Sequence, residues 1–278
     1  MNTTEFKDLS TEEYKKRTIS HWTKSPCGSN YSDKDFLTRD YFAEIRSHRY
    51  GSHPWILRNI ESFDIKQKKV LEIGYGMGTD HLSLAKQGAI TFGIDLTFGN
   101  SQVASRAFEL EGQSARLIIG DAEQLPYDDN SFDFVYSFGV IHHSPDTQKI
   151  ISEIHRVLRP GGRCWITVYH KNSIFFWWTV LCWSHFIRGG YKRYNMKQEL
   201  SLIEHPNDNP DMVVRLYTKS EFLRLFERFG ESSAMIDHLV PANIAPLSAL
   251  MRDGERPTAF FNWLGKRWGW YVVVSAQK

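Results

Sequence analysis

From Lys69 to Tyr169, short apolar runs alternate with segments whose apolar residues recur every three or four positions. That grammar predicts βαβ units and a parallel sheet. The first run, Val70–Ile73, ends in Gly74, and a helix follows over Thr79–Gln87, carrying Leu82, Leu84 and Ala85 to a stop at Gly88. Ile90–Asp95 reads as the second strand, Gln102–Leu110 as a helix, and Ala115–Ile119 as the third strand, with Gly120 and Asp121 at its carboxyl end. Phe132–Ser137 is the fourth strand. The next helix sets Ile150, Ile151, Ile154, Val157 and Leu158 on one face and is expected to stop at Pro160-Gly161-Gly162. Cys164–Tyr169 is the fifth strand, with His170 just past its end.

On either side of this region the pattern weakens. Residues 1–65 are polar with scattered aromatics, predicting an appendage with a helix over Thr38–His48 and a loop at Ser25-Pro26-Cys27-Gly28. Residues 171–216, holding a Trp/Phe cluster and the polar stretch His205–Pro210, read as a lid. Thr218–Phe229 has a helix start with Glu221 in its first turn. Ala234–Leu239 and Trp270–Ala276 supply two closing strands, separated by an excursion that includes Asn262–Gly269. The domain reading is an appendage over 1–65 and a catalytic domain over 66–278.

Composition narrows the partners. With 278 residues and 41% hydrophobic content, the chain can bury one α/β core with additions. Lys and Arg total 34 against 32 Asp and Glu, so charge implies no nucleic-acid partner. Cys27, Cys164 and Cys182 lie far apart with no metal-ligand spacing, which suits free thiols in a reducing compartment and predicts no metal site. Met1–Ser20 lacks the apolar core of a secretion signal, so the expected location is the cytoplasm. Ile174–Trp183, about ten residues, is too short to span a bilayer.

The unusual residues gather where an open α/β sheet binds its ligands, beyond the carboxyl ends of the strands. Gly74, Gly76 and Gly78 stand at alternate positions between a strand and a helix, letting backbone press against a ligand. A dinucleotide site would place its third glycine where Thr79 stands. Asp95, about 17 residues after Gly78, can accept from both hydroxyls of an adenosine ribose or merely cap the next helix. Asp121 and Ala122 can meet an adenine edge, with Leu125 and Pro126 as apolar surface, or Asp121 can simply form an Asx turn.

Val-Leu-Glu-Ile-Gly-Tyr-Gly-Met-Gly-Thr from Val70, Gly-Ile-Asp-Leu from Gly93, Gly-Asp-Ala-Glu-Gln-Leu-Pro-Tyr-Asp-Asp-Asn-Ser-Phe-Asp from Gly120 and Glu-Ile-His-Arg-Val-Leu-Arg-Pro-Gly-Gly from Glu153 come in order. They resemble successive motifs of class I S-adenosylmethionine-dependent methyltransferases, most of all the small-molecule subgroup of ubiquinone and menaquinone biosynthesis. The resemblance spans about Val70 to Tyr169. It implies a Rossmann-like fold: a mostly parallel seven-stranded sheet with helices on both faces, an N-terminal helical appendage over the cofactor site, and a lid after strand five. It further implies that Glu72, Gly74, Gly76 and Gly78 surround the methionine portion of S-adenosylmethionine, that Asp95 holds ribose, that Leu96 packs on adenine, and that Asp121 and Ala122 flank it. Ser137 and Phe138 would lie beside the methyl group. Ser137-Phe138-Gly139-Val140 departs from the Asn/Asp-Pro-Pro-aromatic run of nucleic-acid and protein amino-methylating relatives, which disfavours those acceptors.

Methyl transfer from a sulfonium mainly needs its partners held in line, and a base only where the acceptor arrives protonated. His142 and His143 are the candidate base or positioning residues, with loop packing as the alternative. Tyr31, Tyr50, His53, Tyr169, His170, Trp177 and Trp178 are candidate acceptor-pocket residues. The aromatic excursion admits three readings: a helix buried on the core, a pocket wall for a hydrophobic or aromatic small molecule, or a peripheral membrane contact. The expected product is S-adenosylhomocysteine. The competing functions are a non-catalytic adenosylmethionine-binding protein and an NAD(P)-dependent oxidoreductase.

Overall fold

The computed structural model describes residues 10–24, 26, 28–204, 213–246 and 259–278. Ser25, Cys27 and the stretch His205–Pro210 lie outside the described residues.

Among the described residues eight strands form one sheet, one more than the seven expected because the two-residue β6 joins β5: β1 Lys69–Ile73, β2 Ile90–Asp95, β3 Arg116–Ile119, β4 Phe132–Phe138, β5 Leu158–His170, β6 Leu216–Tyr217, β7 Glu231–Asp237 and β8 Tyr271–Gln277. Their order is β3-β2-β1-β4-β5-β8-β7, with the two-residue β6 paired to β5. β1 to β6 pair in parallel, whereas β8 runs antiparallel to both β5 and β7. The order reverses between β1 and β4, so the carboxyl ends of those strands open a crevice.

Two apolar layers enclose the sheet. Helix α6, Thr147–Val157, buries Ile150, Ile151, Ile154 and Val157, and α8, Lys219–Arg224, adds Phe222 to the same layer. Trp55, Ile56 and Ile60 of α3, Pro54–Ser62, pack on the other side with Tyr136, Trp165 and Val273. Helices α1 Thr11–Lys24 and α2 Arg39–Ser52 complete the region before β1; α4 Thr79–Lys86 and α5 Phe98–Leu110 are the first two crossovers. α2 starts at Thr38, whose side chain accepts from Tyr41 N–H, and α8 starts at Thr218 in a capping box with Glu221.

Four local expectations need correction. Pro160-Gly161-Gly162 does not stop a helix but lies inside β5: Leu158 is already extended and pairs with Phe132, and the register then jumps to Phe134 opposite Arg163. The extra residues bulge at Gly161, whose φ is +75°. His170 consequently belongs to the strand, opposite Tyr217. The Thr218 helix ends at Arg224, short of Phe229. The aromatic excursion winds as a π-helix, Phe175–Ile187, in which Val180 is fully buried while Trp177 and Trp178 are exposed. Residues 190–192 form one 3₁₀ turn, and α7, Met196–Glu204, follows.

Candidate active site

The glycine loop sits at the mouth of the β1/β4 crevice, with Gly74, Gly76 and Gly78 all at positive φ. At Gly74 the constraint is space: a Cβ would stand 2.3 Å from Val140 Cγ2. At Gly76 it is the reverse, since no atom lies within 4 Å of where a Cβ would be. The Gly76 N–H instead donates to Asp95 Oδ2 at 3.0 Å. Asp95 Oδ1 accepts from Thr97 N–H at 3.0 Å, Thr97 Oγ1 at 2.9 Å and Asn100 Nδ2 at 3.1 Å. Burial raises its carboxyl pKa, and these bonds oppose the rise. Oδ1 is thus saturated, while Oδ2 keeps a lone pair for a ligand hydroxyl. An open backbone edge beside that lone pair fits an adenosine ribose.

Asp121, at the end of β3, accepts Glu123 N–H on Oδ1 at 2.8 Å and the Lys15 ammonium on Oδ2 at 2.5 Å. The Asx turn foreseen in the sequence is therefore formed, on Oδ1. Lys15 also reaches Glu123 Oε2 at 2.6 Å, so α1 is latched across this end of the crevice. Tyr14, one residue earlier, donates to His143 O at 2.6 Å. Leu96 and Ala122 are half-buried beside Asp95 and Asp121, respectively.

Glu72, at the end of β1, turns to His81 Nδ1 at 2.9 Å. Burial pushes the Glu72 carboxyl well up, with Asp80 adding to it, and takes the His81 imidazole down to about 3. Beside it, Arg49 of α2 is bidentate on Asp80, with Nε 2.7 Å from Oδ1 and Nη2 on Oδ2. Tyr50 and Tyr136 donate to the same carboxylate at 3.0 and 2.8 Å. Burial works against the Arg49 charge, but Asp80 overrides it and raises the guanidinium pKa. Burial also raises the Tyr50 pKa, helped by the Asp80 charge. Tyr50 is thus part of a network that ties the N-terminal helices to the glycine-loop helix. The guanidinium lies 4.7 Å over the ring of Phe138.

Sequence reasoning missed Arg49, Asp80 and Lys15. Arg49 falls one residue past the expected helix end, and its partner is 31 residues away in sequence, so no local spacing announced the pair.

The remaining candidates separate into three groups. His142, Tyr169, Tyr271, His53 and Phe138 form one aromatic chain: ring centroids are 4.1 Å apart for His142 and Tyr169, 5.6 Å for Tyr169 and Tyr271, and 5.8 Å for His53 and Tyr271. Phe138 lies 5.1 Å from Tyr271. His142 is wholly buried, with neither ring nitrogen paired, and burial with His143 alongside holds its pKa far below the ordinary value. His143 Nδ1 meets Val213 O at 3.0 Å; a carbonyl there requires the Nδ1–H tautomer. His53 stacks on His238 at 4.2 Å, and burial with His238, Arg49 and His48 keeps it uncharged. His170 is buried at the end of β5, its Nδ1 on Gly269 O at 3.0 Å.

Three expected contacts lie elsewhere. Ser137 is wholly buried, and its hydroxyl donates to Ile73 O at 2.9 Å, fastening β4 to β1 rather than facing the crevice. Tyr31 is exposed and stacks on His48 at 3.6 Å. Trp177 and Trp178 face outward, with the Trp178 indole N–H donating to Ala245 O at 2.6 Å. Cys164 is buried and Cys182 half-buried, both free.

A doubly wound sheet whose strand order turns at β1/β4, closed by an antiparallel β8, with a glycine loop and strand-end acids at the turn, is the architecture of class I methyltransferases. Residues 71–166 match the family model described as a methyltransferase domain. Over that stretch the chain is similar to a methyltransferase domain. It is 38% identical over 126 residues to phosphoethanolamine N-methyltransferase 2 of Caenorhabditis elegans, a match covering 44% of this chain and 29% of that protein. It is 36% identical over 107 residues to a phthiotriol/phenolphthiotriol dimycocerosates methyltransferase of Mycobacterium tuberculosis, covering 38% and 39%. These matches thus span well under half of each relative's length. Among solved structures, the 1,6-didemethyltoxoflavin-N1-methyltransferase of Burkholderia thailandensis, bound to S-adenosylhomocysteine, superposes with a TM-score of 0.52 over 97% of this chain and 91% of that one, at 18% identity.

Proposed function

We propose that this protein binds S-adenosylmethionine in the β1/β4 crevice and moves its methyl group to a small molecule, with a hydrophobic or aromatic acceptor. The observation that carries the reading is the open edge at Gly76, whose N–H is held by the one Asp95 oxygen that keeps a lone pair for a ribose hydroxyl. Asp121 and Ala122 then flank adenine, with Leu96 on its face, and the Gly74–Gly78 loop borders the methionine portion. Arg49, with Nε and Nη2 committed to Asp80, has Nη1 left for the methionine carboxylate.

The cofactor supplies an activated methyl on sulfur, whose transfer releases a neutral thioether. The protein's task is alignment, worth roughly 7–11 kcal/mol of barrier when reacting atoms are held in line. The aromatic chain from His142 through Tyr169 and Tyr271 to His53 forms the acceptor side, which suits an apolar or aromatic ring. His142 and His143 are the candidate proton acceptors by this reading, for an acceptor that arrives as an acid. α1 and the described residues between 171 and 216 act as the covers of the two halves.

The test is calorimetric titration with S-adenosylmethionine, S-adenosylhomocysteine and NADH, followed by an acceptor screen that reads S-adenosylhomocysteine formation. The first two ligands are expected to bind and NADH is not. Asp95→Ala is expected to weaken S-adenosylmethionine binding by about 10- to 100-fold, the worth of one or two hydrogen bonds to a charged group. Unchanged affinity in a variant shown by circular dichroism to be folded overturns the ribose assignment, and binding of NADH alone overturns the reading.

A further inference from the structure

Two helices outside the crevice present large apolar side chains to solvent. In the π-helix, Trp177 and Phe186 are nine residues apart, as are Trp178 and Ile187, a separation of about two π-helical turns that returns each pair to one face. All four are between 42% and 61% exposed. The opposite side carries buried Val180, and Thr179 Oγ1 donates to Asn243 O at 2.5 Å. Helix α9, Ala259–Trp268, repeats the arrangement: Phe260 and Trp263, 61% and 65% exposed, stack on each other with centroids 6.3 Å apart. Its inner side is Gly265, where a Cβ would come within 2.9 Å of Leu239 N. Both helices are therefore docked on the chain leaving β7, with their aromatic faces turned outward.

Within residues 171–198 and 259–278 the charged side chains have one sign. Arg188, Lys192 and Arg193 follow the π-helix, and Lys266 and Arg267 close α9. Neither residues 171–198 nor residues 259–278 contain an Asp or Glu, in a chain that as a whole has 34 Lys and Arg and 32 Asp and Glu. The nearest acid in the first helix's surroundings, Glu199, is buried with its carboxylate 3.0 Å from His185 Nδ1. Outward Trp and Phe rimmed by Lys and Arg is the composition that settles in the headgroup region of an anionic bilayer. The same cations argue against this face pairing with a second copy of itself, since like charges would be brought together. No helix among the described residues is long and apolar enough to cross a membrane.

We propose that the π-helix and α9 form an interfacial docking surface for membranes containing anionic phospholipid. The aromatic side chains enter at headgroup depth, and Arg188, Lys192, Arg193, Lys266 and Arg267 meet lipid phosphates. The proposal is independent of the acceptor and of methyl transfer.

The experiment is flotation of the full chain with vesicles of phosphatidylcholine alone and with phosphatidylglycerol added, at low and high salt. Binding is expected to the anionic vesicles and to fall as salt rises. Phe186→Ser/Ile187→Ser and Trp263→Ser are each expected to reduce the bound fraction, and Arg188→Glu/Lys192→Glu to weaken binding at least about tenfold. Circular dichroism and S-adenosylmethionine titration of each variant separate loss of the surface from loss of fold or of the cofactor site. Three results overturn the proposal: no vesicle binding, binding that neither lipid charge nor these substitutions alter, or a dimer in sedimentation equilibrium that Phe186→Ser/Ile187→Ser dissolves.

Discussion

Replacing Gly74 by Ala tests the tightest contact of the glycine loop. Gly74 has φ +76°, so an L-side chain there carries the left-handed penalty of about 1–2 kcal/mol. The new Cβ would also sit 2.3 and 2.6 Å from the two Val140 methyls, an overlap that costs about 1–3 kcal/mol as overpacking. Together the loss is about 2–5 kcal/mol, a fall in Tm of very roughly 5–15 °C for a chain of this size. The two components separate in a double-mutant cycle. Val140→Ala moves the nearest contact back to its Cβ at 2.9 Å and alone costs about 1 kcal/mol. In the double variant the overlap is eased, from 2.3 to 2.9 Å, while the φ penalty stays, so a favourable coupling of about 1 kcal/mol is expected. Urea unfolding followed by circular dichroism measures all four corners, with unchanged m-values confirming that stability alone has moved. S-adenosylmethionine affinity is expected to drop in Gly74→Ala and recover in part in the double variant. Losses that simply add, within about 0.5 kcal/mol, refute the claim that Gly74 is glycine because Val140 leaves no room.

Two other perturbations address the cover and the acid behaviour. Lys15→Ala removes the bridge from α1 to Asp121 and Glu123, and stopped-flow measurement should show S-adenosylmethionine leaving several-fold faster, by about 1 kcal/mol of lost latch; an unchanged rate excludes α1 as a cover. Burial takes the His238 imidazole down to about 4 from an ordinary 6.5, so the native state resists its protonation. That contribution is whole above pH 6.5 and is lost as pH falls from 6.5 toward 4, at most about 3 kcal/mol. His53, His142 and His170, also lowered by burial, act in the same direction. His238 has φ +70°, a conformation Asn tolerates, so His238→Asn should keep the fold and flatten the stability-against-pH curve between pH 6.5 and 4; an identical curve shows that His238 does not carry it.

What was legible in the sequence follows from where the determining interactions lie. β1 to β4 and their crossovers could be read because each strand is a short apolar run bounded by its own turn residues, and because glycines and acids mark the strand ends. The β5 boundary misled because Pro160-Gly161-Gly162 is equally good at ending a helix and at forming a bulge; only pairing with β4, through Phe132 and Phe134, distinguishes the two. Of the N-terminal helices, α2 was expected over Thr38–His48, whereas α1 was hidden for a related reason: it is a polar segment whose anchoring contact, Lys15 on Asp121, lies across the fold. Ser137 shows the converse: a polar residue at the strand end suggested a ligand contact, yet its hydroxyl holds two strands together. The acids at strand ends therefore carried more information than neutral hydroxyls. A buried hydroxyl is satisfied by one backbone carbonyl, whereas a carboxylate such as Asp95 takes four protein donors and still has a lone pair to offer, which makes it visible as a site even before its ligand is known.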